Sequence, residues 1–541
     1  MIAVWIGGGL AASMLAVATP APTASPPAPP PTAVRSPQLD ALLERHRRAL
    51  GHMQSESASW SGVITQDGAD TPFSESADGD GRWKSSLTLP FGQHVDGNDL
   101  AVQWVQDLNG NVTFIPITRR RSLLARLLGF NAVLLDPDIA WVIDGPLTID
   151  GRPVIRLHAK LGTADAVVYL DSQTALVNGA QLGDRAIRYV QYQTFDQLVV
   201  PTKIVETQQD EQVATTIRSV TFPPLAAADF APPPPRRPQF PSGATEVGLD
   251  FESPHSLIVV HAKVNGTLVN FLLDSGSSAS LIDQDEARVL KLPTAGSVRV
   301  VGATVLRGTV ARADVLELGG VRFTPFVLEA VPLGLPASLR GFGITGILGY
   351  DVFAQVVARI DYGRAHIRLI QPSTFSYNGT GAVLALDASS RLPRVPATLG
   401  EQDPTTFTVD TGSDSGLTLY QDFAQSHARD FLRPGDLASE ESSYPQSPQN
   451  PQPPSTPDPA SFFGDLMQAS GAGGAIHVKT AYITRLNLGK FSVDRVFTEI
   501  VLNPSGAFTP ATSDGLLGAS VLSKFGAVFL DYPGGRFILE R

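Results

Sequence analysis

Two short stretches hold residues that can do chemistry, 271–277 (FLLDSGS) and 407–413 (FTVDTGS). Each is an apolar run ending in Asp, a hydroxyl residue, Gly and Ser. The run has the length and apolar content of a buried strand. Asp-Ser-Gly and Asp-Thr-Gly then make a sharp turn, because Gly adopts backbone angles that other residues avoid. Each stretch delivers one carboxylate, Asp274 or Asp410, to the end of a buried strand. A single copy is an ordinary turn, but two copies supply a pair. Two carboxylates brought together in a partly dry site cannot both ionise, so the pair keeps one proton over a wide pH range. The ionised member takes a proton from water and the protonated member polarises an oxygen, which is general acid–base chemistry.

The positioning elements repeat as well. Asp274 is followed by 345–349 (TGILG) and 350–369 (YDVFAQVVARIDYGRAHIRL). Asp410 is followed by 514–518 (DGLLG) and 519–539 (ASVLSKFGAVFLDYPGGRFIL). Both copies read Gly, two aliphatics, Gly, a short helical piece, an apolar strand, Asp-Tyr, a turn and a last strand. Upstream, 261–270 leads into Asp274 as a strand pair turning at Asn265-Gly266, and 396–406 leads into Asp410 in the same way. Asp361 and Asp531, each before Tyr, precede hairpin turns and read as turn caps.

From about residue 245 to 541 the chain resembles the aspartic peptidases, with two lobes in one polypeptide and the bacterial retropepsin-like members most similar. The resemblance implies a mainly β fold, a bilobal double β-barrel, with Asp274 and Asp410 as the catalytic dyad. It implies that Ser275 and Thr411 hydrogen-bond across the lobe interface. Gly276 and Gly412 would let backbone N–H groups approach the carboxylates, and Ser277 and Ser413 would donate to the outer carboxylate oxygens. Gly349 and Gly518 belong to the segments expected to brace the two loops. Flap hairpins are expected at 298–318, with Gly302 as a tip candidate, and at 470–488, with Gly471, Gly473 and Gly474. The implied reaction is peptide-bond hydrolysis by an activated water, with no cofactor, no metal and no covalent intermediate. A peptide or protein is the implied substrate, and hydrogen bonding to the charged carboxylate sets the expectation of an acid to mildly acid optimum.

Composition limits the alternatives. The chain has 541 residues and a net charge of −11, which argues against a nucleic-acid binder of the basic-patch kind. It has no cysteine, which removes disulfides, thiol catalysis and cysteine metal sites. A monomer is expected.

The order of the chain follows. Residues 1–18 are apolar and small-residue-rich, ending Ala16-Val17-Ala18, and read as a secretory signal. This predicts an exported protein, periplasmic or extracellular, or a membrane-tethered one if the segment stays uncleaved. Residues 19–37 form a Pro-rich tether. Residues 38–230 form a separate domain opening on a predicted helix over 39–50, with a second helix over 119–128. Alternating segments and turn signals fill the rest. Its second half, 151–232, resembles the outer-membrane lipoprotein-carrier half-barrel, an antiparallel sheet curled around a helix. That resemblance implies an apolar concavity for a lipid or hydrophobic peptide; a structural spacer or prosegment-like cover is the alternative. Its histidines, His46, His52, His94 and His158, have no metal-site spacing. Residues 231–244 are a linker, 245–372 the first peptidase-like lobe and 373–541 the second. The second lobe carries an insert at about 431–468 whose composition predicts disorder. Against the peptidase reading stands a peptide- or lipid-binding envelope protein with the same folds and no cleavage.

Overall fold

The computed structural model describes residues 3–6, 36–117, 122–208, 211–302, 304–335, 339, 341–432, 466–471, 474–502 and 513–541. The protein is mainly β. The chain divides into two units: Met1–Ile6, Leu108–Thr113 and Pro235–Arg541 form one, and Gly7–Asp107 with Phe114–Pro234 form the other.

The second of these opens on the helix Pro37–Leu50. Ser36 caps it by accepting from Leu39 N, Pro37 occupies its first turn, and Gly51 ends it at φ 73°. Leu39, Leu42, Leu43, His46 and Leu50 form its buried stripe at helical spacing. Leu39, Leu42 and Leu43 pack into a core with Trp141, Leu157, Val168 and Tyr189. The sheet beside it has thirteen strands. It descends without a break from Val112–Ile115 to Ser57–Gln66, crosses to Glu211–Thr221, and descends again to Val142–Ile149. Ser57–Gln66 pairs with Glu211–Thr221, so the first half of the unit belongs to the same sheet. The helix expected over 119–128 is described as Leu123–Leu128, capped by Ser122, and residues 119–121 lie outside the described set. Two concavities belong to this unit. One of about 610 Å³ is lined by His52, Phe195, Leu198 and Phe222. An apolar one of about 410 Å³ lies between Leu42 of the helix and Ile143, Pro146 and Ile155 of the edge strands.

The other unit holds three sheets, of ten, seven and six strands. Thr267–Leu273 sits centrally in the first, paired parallel with Ile344–Leu348 and antiparallel with Val259–Val264. Thr405–Asp410 has the same neighbours in the second, parallel to Gly515–Gly518 and antiparallel to Arg394–Leu399. Both faces of these strands are covered, which is why 271–273 reads as an unbroken apolar run; in 407–409 the buried Thr408 interrupts the run and donates to Ser513 Oγ at 3.2 Å. The six-stranded sheet joins the halves, with Val357–Asp361 paired to Ala527–Asp531 at its centre. One hydrophobic cluster runs through both lobes, from Phe271 and Leu273 to Phe407, Val409 and Phe537. Burying each such side chain contributes about 1.5–3 kcal/mol, so the aspartate-bearing strands are among the most firmly held segments. Of the expected signal segment only Ala3–Ile6 is described; it is a strand antiparallel to Thr294–Val301. The insert at 433–465 lies outside the described residues.

Candidate active site

Asp274 follows Thr267–Leu273 directly, and its N–H donates to Leu348 O at 2.9 Å. Asp410 ends Thr405–Asp410, in register with Gly518. The structure brings the two carboxyl groups together, each lying against the glycine of the other's loop. They are 5 % and 2 % exposed, dry enough that both cannot carry charge. Burial, then the Asp410 charge, pushes Asp274 up to about 8. Gly276 N donates to Asp274 Oδ1 at 2.8 Å and Gly412 N to Asp410 Oδ1 at 3.0 Å. Each glycine also lies against the opposite aspartate: a Cβ on Gly276 would meet Asp410 Cγ at 2.4 Å, and one on Gly412 would meet Asp274 Cγ at 2.3 Å. No other residue fits either position.

The turns interlock through their hydroxyl residues. Ser275 N donates to Thr411 Oγ1 at 2.9 Å, and Thr411 N donates to Ser275 Oγ at 3.1 Å. Ser275 Oγ then donates to Val409 O and Thr411 Oγ1 to Leu273 O, each crossing to the other strand. Ser277 and Ser413 depart from the expectation. Ser277 Oγ donates to Ala279 O at 2.7 Å, and Ser413 Oγ bonds Ser415 Oγ at 3.0 Å. Both hydroxyls bond within their own loops, because a partner two residues away is within reach without reorienting the turn.

Gly349 and Gly518 close behind the loops. A Cβ on Gly349 would meet Ser277 O and Ala279 O at 2.5 Å, and one on Gly518 would meet Ser415 O at 2.2 Å. Tyr350 N donates to Ser277 O and Ala519 N to Ser413 O, so each bracing segment is bonded to its loop. Asp361 and Asp531 cap their turns through Arg364 N and Gly534 N, and each pairs with an arginine, Arg364 or Arg536.

Sequence reasoning missed the tyrosines that follow those caps. Tyr532 donates to Ser275 O at 3.3 Å and stacks on Phe353 at 5.4 Å. Burial, then Asp274, holds its hydroxyl well above its usual range. Tyr362, its counterpart in the first lobe, is likewise raised by burial and then by Asp410, and its buried hydroxyl has no hydrogen-bond partner among the described residues. The recurrence of Asp-Tyr in both repeats was the available signal.

Hairpins occur in both segments where flaps are expected. Thr294–Val301 pairs with Val305–Ala313, and Gly302 stands in the turn between them, its N–H donating to Thr304 O. Leu466–Gly471 pairs with Gly474–Leu488, with Gly471 opposite Gly474; Gly473 lies outside the described residues. Among the described residues no group of three or more His, Asp or Glu is placed to hold a metal ion.

Several solved structures resemble parts of this chain. A retropepsin-like aspartic protease from Rickettsia conorii is 16 % identical, with a TM-score of 0.18, over 30 % of this chain and 96 % of its own. Basic 7S globulin from soybean is 11 % identical, with a TM-score of 0.31, over 55 % of this chain and 96 % of its own. A LolA superfamily protein from Nitrosomonas europaea is 15 % identical, with a TM-score of 0.26, over 36 % of this chain and 97 % of its own. No curated protein matches the sequence. Residues 260–352, the segment that contains both Asp274 and Gly349, match the family model described as aspartyl protease.

Proposed function

We propose that residues 245–541 form an aspartic endopeptidase and that Asp274 and Asp410 are its catalytic dyad. The observation that carries this reading is the close approach of two buried carboxyl groups on interlocked loops. A water touching both is deprotonated by the ionised member and attacks the peptide carbonyl. The protonated member donates to the carbonyl oxygen, a tetrahedral diol forms, and a carboxyl proton passes to the leaving amine. The substrate lies extended beneath the two hairpins, bound largely by main-chain hydrogen bonds. Export to the periplasm or the outside is part of the proposal, supported by the apolar N-terminal segment ending Ala16-Val17-Ala18. In the N-terminal unit the apolar groove beside Leu42 supports a hydrophobic ligand.

The test is hydrolysis of a denatured protein by the full chain, with and without a statine-type inhibitor. Asp274→Asn and Asp410→Asn are each expected to lower turnover by at least about 10³-fold with the fold retained. Cleavage that survives Asp274→Asn removes the mechanism. Peptide binding without cleavage in the unaltered chain selects the non-catalytic envelope protein instead.

A further inference from the structure

The unit that carries the two aspartates includes a segment distant in sequence, Leu108–Thr113. Asn109 and Thr113 are buried there, although both residue types usually stay at the surface. Buried polar side chains need partners, and those of Asn109 and Thr113 lie in the first lobe.

Asn109 completes a sheet edge. On the strand Phe326–Val331, Glu329 N donates to Ser280 O at 3.0 Å, at the entry to the neighbouring strand Leu281–Asp283. Val327 lies two residues earlier, so its N–H and C=O point to the same edge, where the neighbouring strand has not yet begun. Val327 N donates to Asn109 Oδ1 at 2.8 Å, and Asn109 Nδ2 donates to Val327 O at 3.0 Å. One side-chain amide, with an acceptor and a donor, thus stands in for a strand residue. Gly110 makes the turn at φ 75°, and a Cβ on it would meet Arg236 Cβ at 2.6 Å. Arg236 N donates to Gly110 O at 2.8 Å, which bonds the segment on its other side.

Thr113 reaches the brace of the Asp274 loop. Its hydroxyl bonds that of Tyr350 at 2.5 Å, across 237 positions of sequence. Tyr350 directly follows Gly349, and its N–H donates to Ser277 O of the Asp274 loop at 2.9 Å. Its ring lies 6.1 Å from that of Tyr532, whose hydroxyl donates to Ser275 O of the same loop. Tyr350 therefore meets the loop directly through its backbone and indirectly through Tyr532, while its own buried hydroxyl is held by Thr113.

We infer that Asn109 and Thr113 are positioning residues for the proposed hydrolysis. Asn109 seats the segment on the first lobe, and Thr113 fixes Tyr350, which holds the loop carrying Asp274. This rests on the peptidase reading of the dyad.

The test uses the full chain and a peptide substrate. Thr113→Val, which keeps the shape and removes the hydroxyl, is expected to lower kcat by about tenfold, the effect of one hydrogen bond on a barrier, with KM within about twofold. Thr113→Ser is expected to restore kcat. Tyr350→Phe should reproduce the loss, and combining it with Thr113→Val should add little, because both remove one bond. A folded Thr113→Val variant with unchanged kcat, or losses that multiply in the double variant, overturns the inference and leaves the peptidase reading standing. Hydrogen–deuterium exchange decides it without turnover. Faster exchange at the Tyr350 amide in Thr113→Val than in Thr113→Ser supports the positioning role even if the chain cleaves nothing, and equal exchange removes it.

Discussion

Ser275 and Thr411 hold each other: the N–H of each donates to the side-chain oxygen of the other, at 2.9 and 3.1 Å. Each hydroxyl then donates to a carbonyl of the strand carrying the other aspartate. The lobes are thus fixed at the two residues next to the dyad, and an error in one loop is transmitted directly to the opposite carboxylate.

Thr411→Val keeps the shape and removes the oxygen. It leaves Ser275 N and Leu273 O, both buried, without this partner, at about 1–3 kcal/mol for each unsatisfied group. We expect a loss of roughly 2–5 kcal/mol in urea unfolding and a larger fall in turnover, with Thr411→Ser near the unaltered protein. A Val variant as active as the Ser variant would falsify the interlock as a functional element.

On the proposed mechanism, the carboxyl of Asp274, raised to about 8 by burial and then by Asp410, is expected to set the alkaline side of activity. A dyad that keeps its proton to that pH stays competent through neutrality and fails as the pH rises through about 8. Burial outweighs the Gly276 N–H in this carboxyl, so the expected alkaline limit lies above the acid to mildly acid optimum read from the sequence. The linked stability has the same sign. A raised acid stabilises the folded state fully below its ordinary pKa, and that contribution is lost as pH rises through the folded value. The decline in stability between pH 5 and 8.5 should flatten in Asp274→Asn, and an unchanged slope would mean that the proton resides elsewhere.

Gly412→Ala places a methyl 2.3 Å from Asp274 Cγ, against the carboxyl that the proposed mechanism uses. We expect turnover to drop by at least about 10²-fold, since small displacements of reacting groups carry penalties of that order. A crystal structure of the variant should show the carboxylates separated. Retained activity with an undisturbed dyad would contradict the close packing.

The dyad, its glycines and its bracing segments were legible because they lie in short contiguous patterns repeated in order. Interlocking through Ser275 and Thr411 followed from the family resemblance. Ser277 and Ser413 were misread because a hydroxyl's choice among acceptors depends on loop geometry, which the sequence does not show. The thirteen-stranded sheet was half-read because the pairing of Ser57–Gln66 with Glu211–Thr221 joins segments far apart in the chain, with no local signal.

Register also exposes a polar row in the N-terminal unit. Glu75, Ser85 and Asp96 stand side by side on adjacent strands. Arg126 lies over the Trp83 ring at 3.8 Å and pairs with Glu75. The guanidinium is engaged by Glu75, and burial pushes Asp96 up to about 7, with Arg126 opposing and Glu75 adding to the rise. The folded unit therefore binds a proton that the unfolded chain has released above pH 4. Stability from this group is complete below its ordinary pKa near 3.8 and declines as pH rises to about 7. Asp96→Asn, which removes the charge and keeps the shape, should stabilise the unit at pH 7.5 by an amount on the order of 2–4 kcal/mol. It should have little effect at pH 4. Urea unfolding followed by Trp fluorescence at the two pH values measures the difference directly. Equal shifts at both would show that Asp96 carries no linked proton.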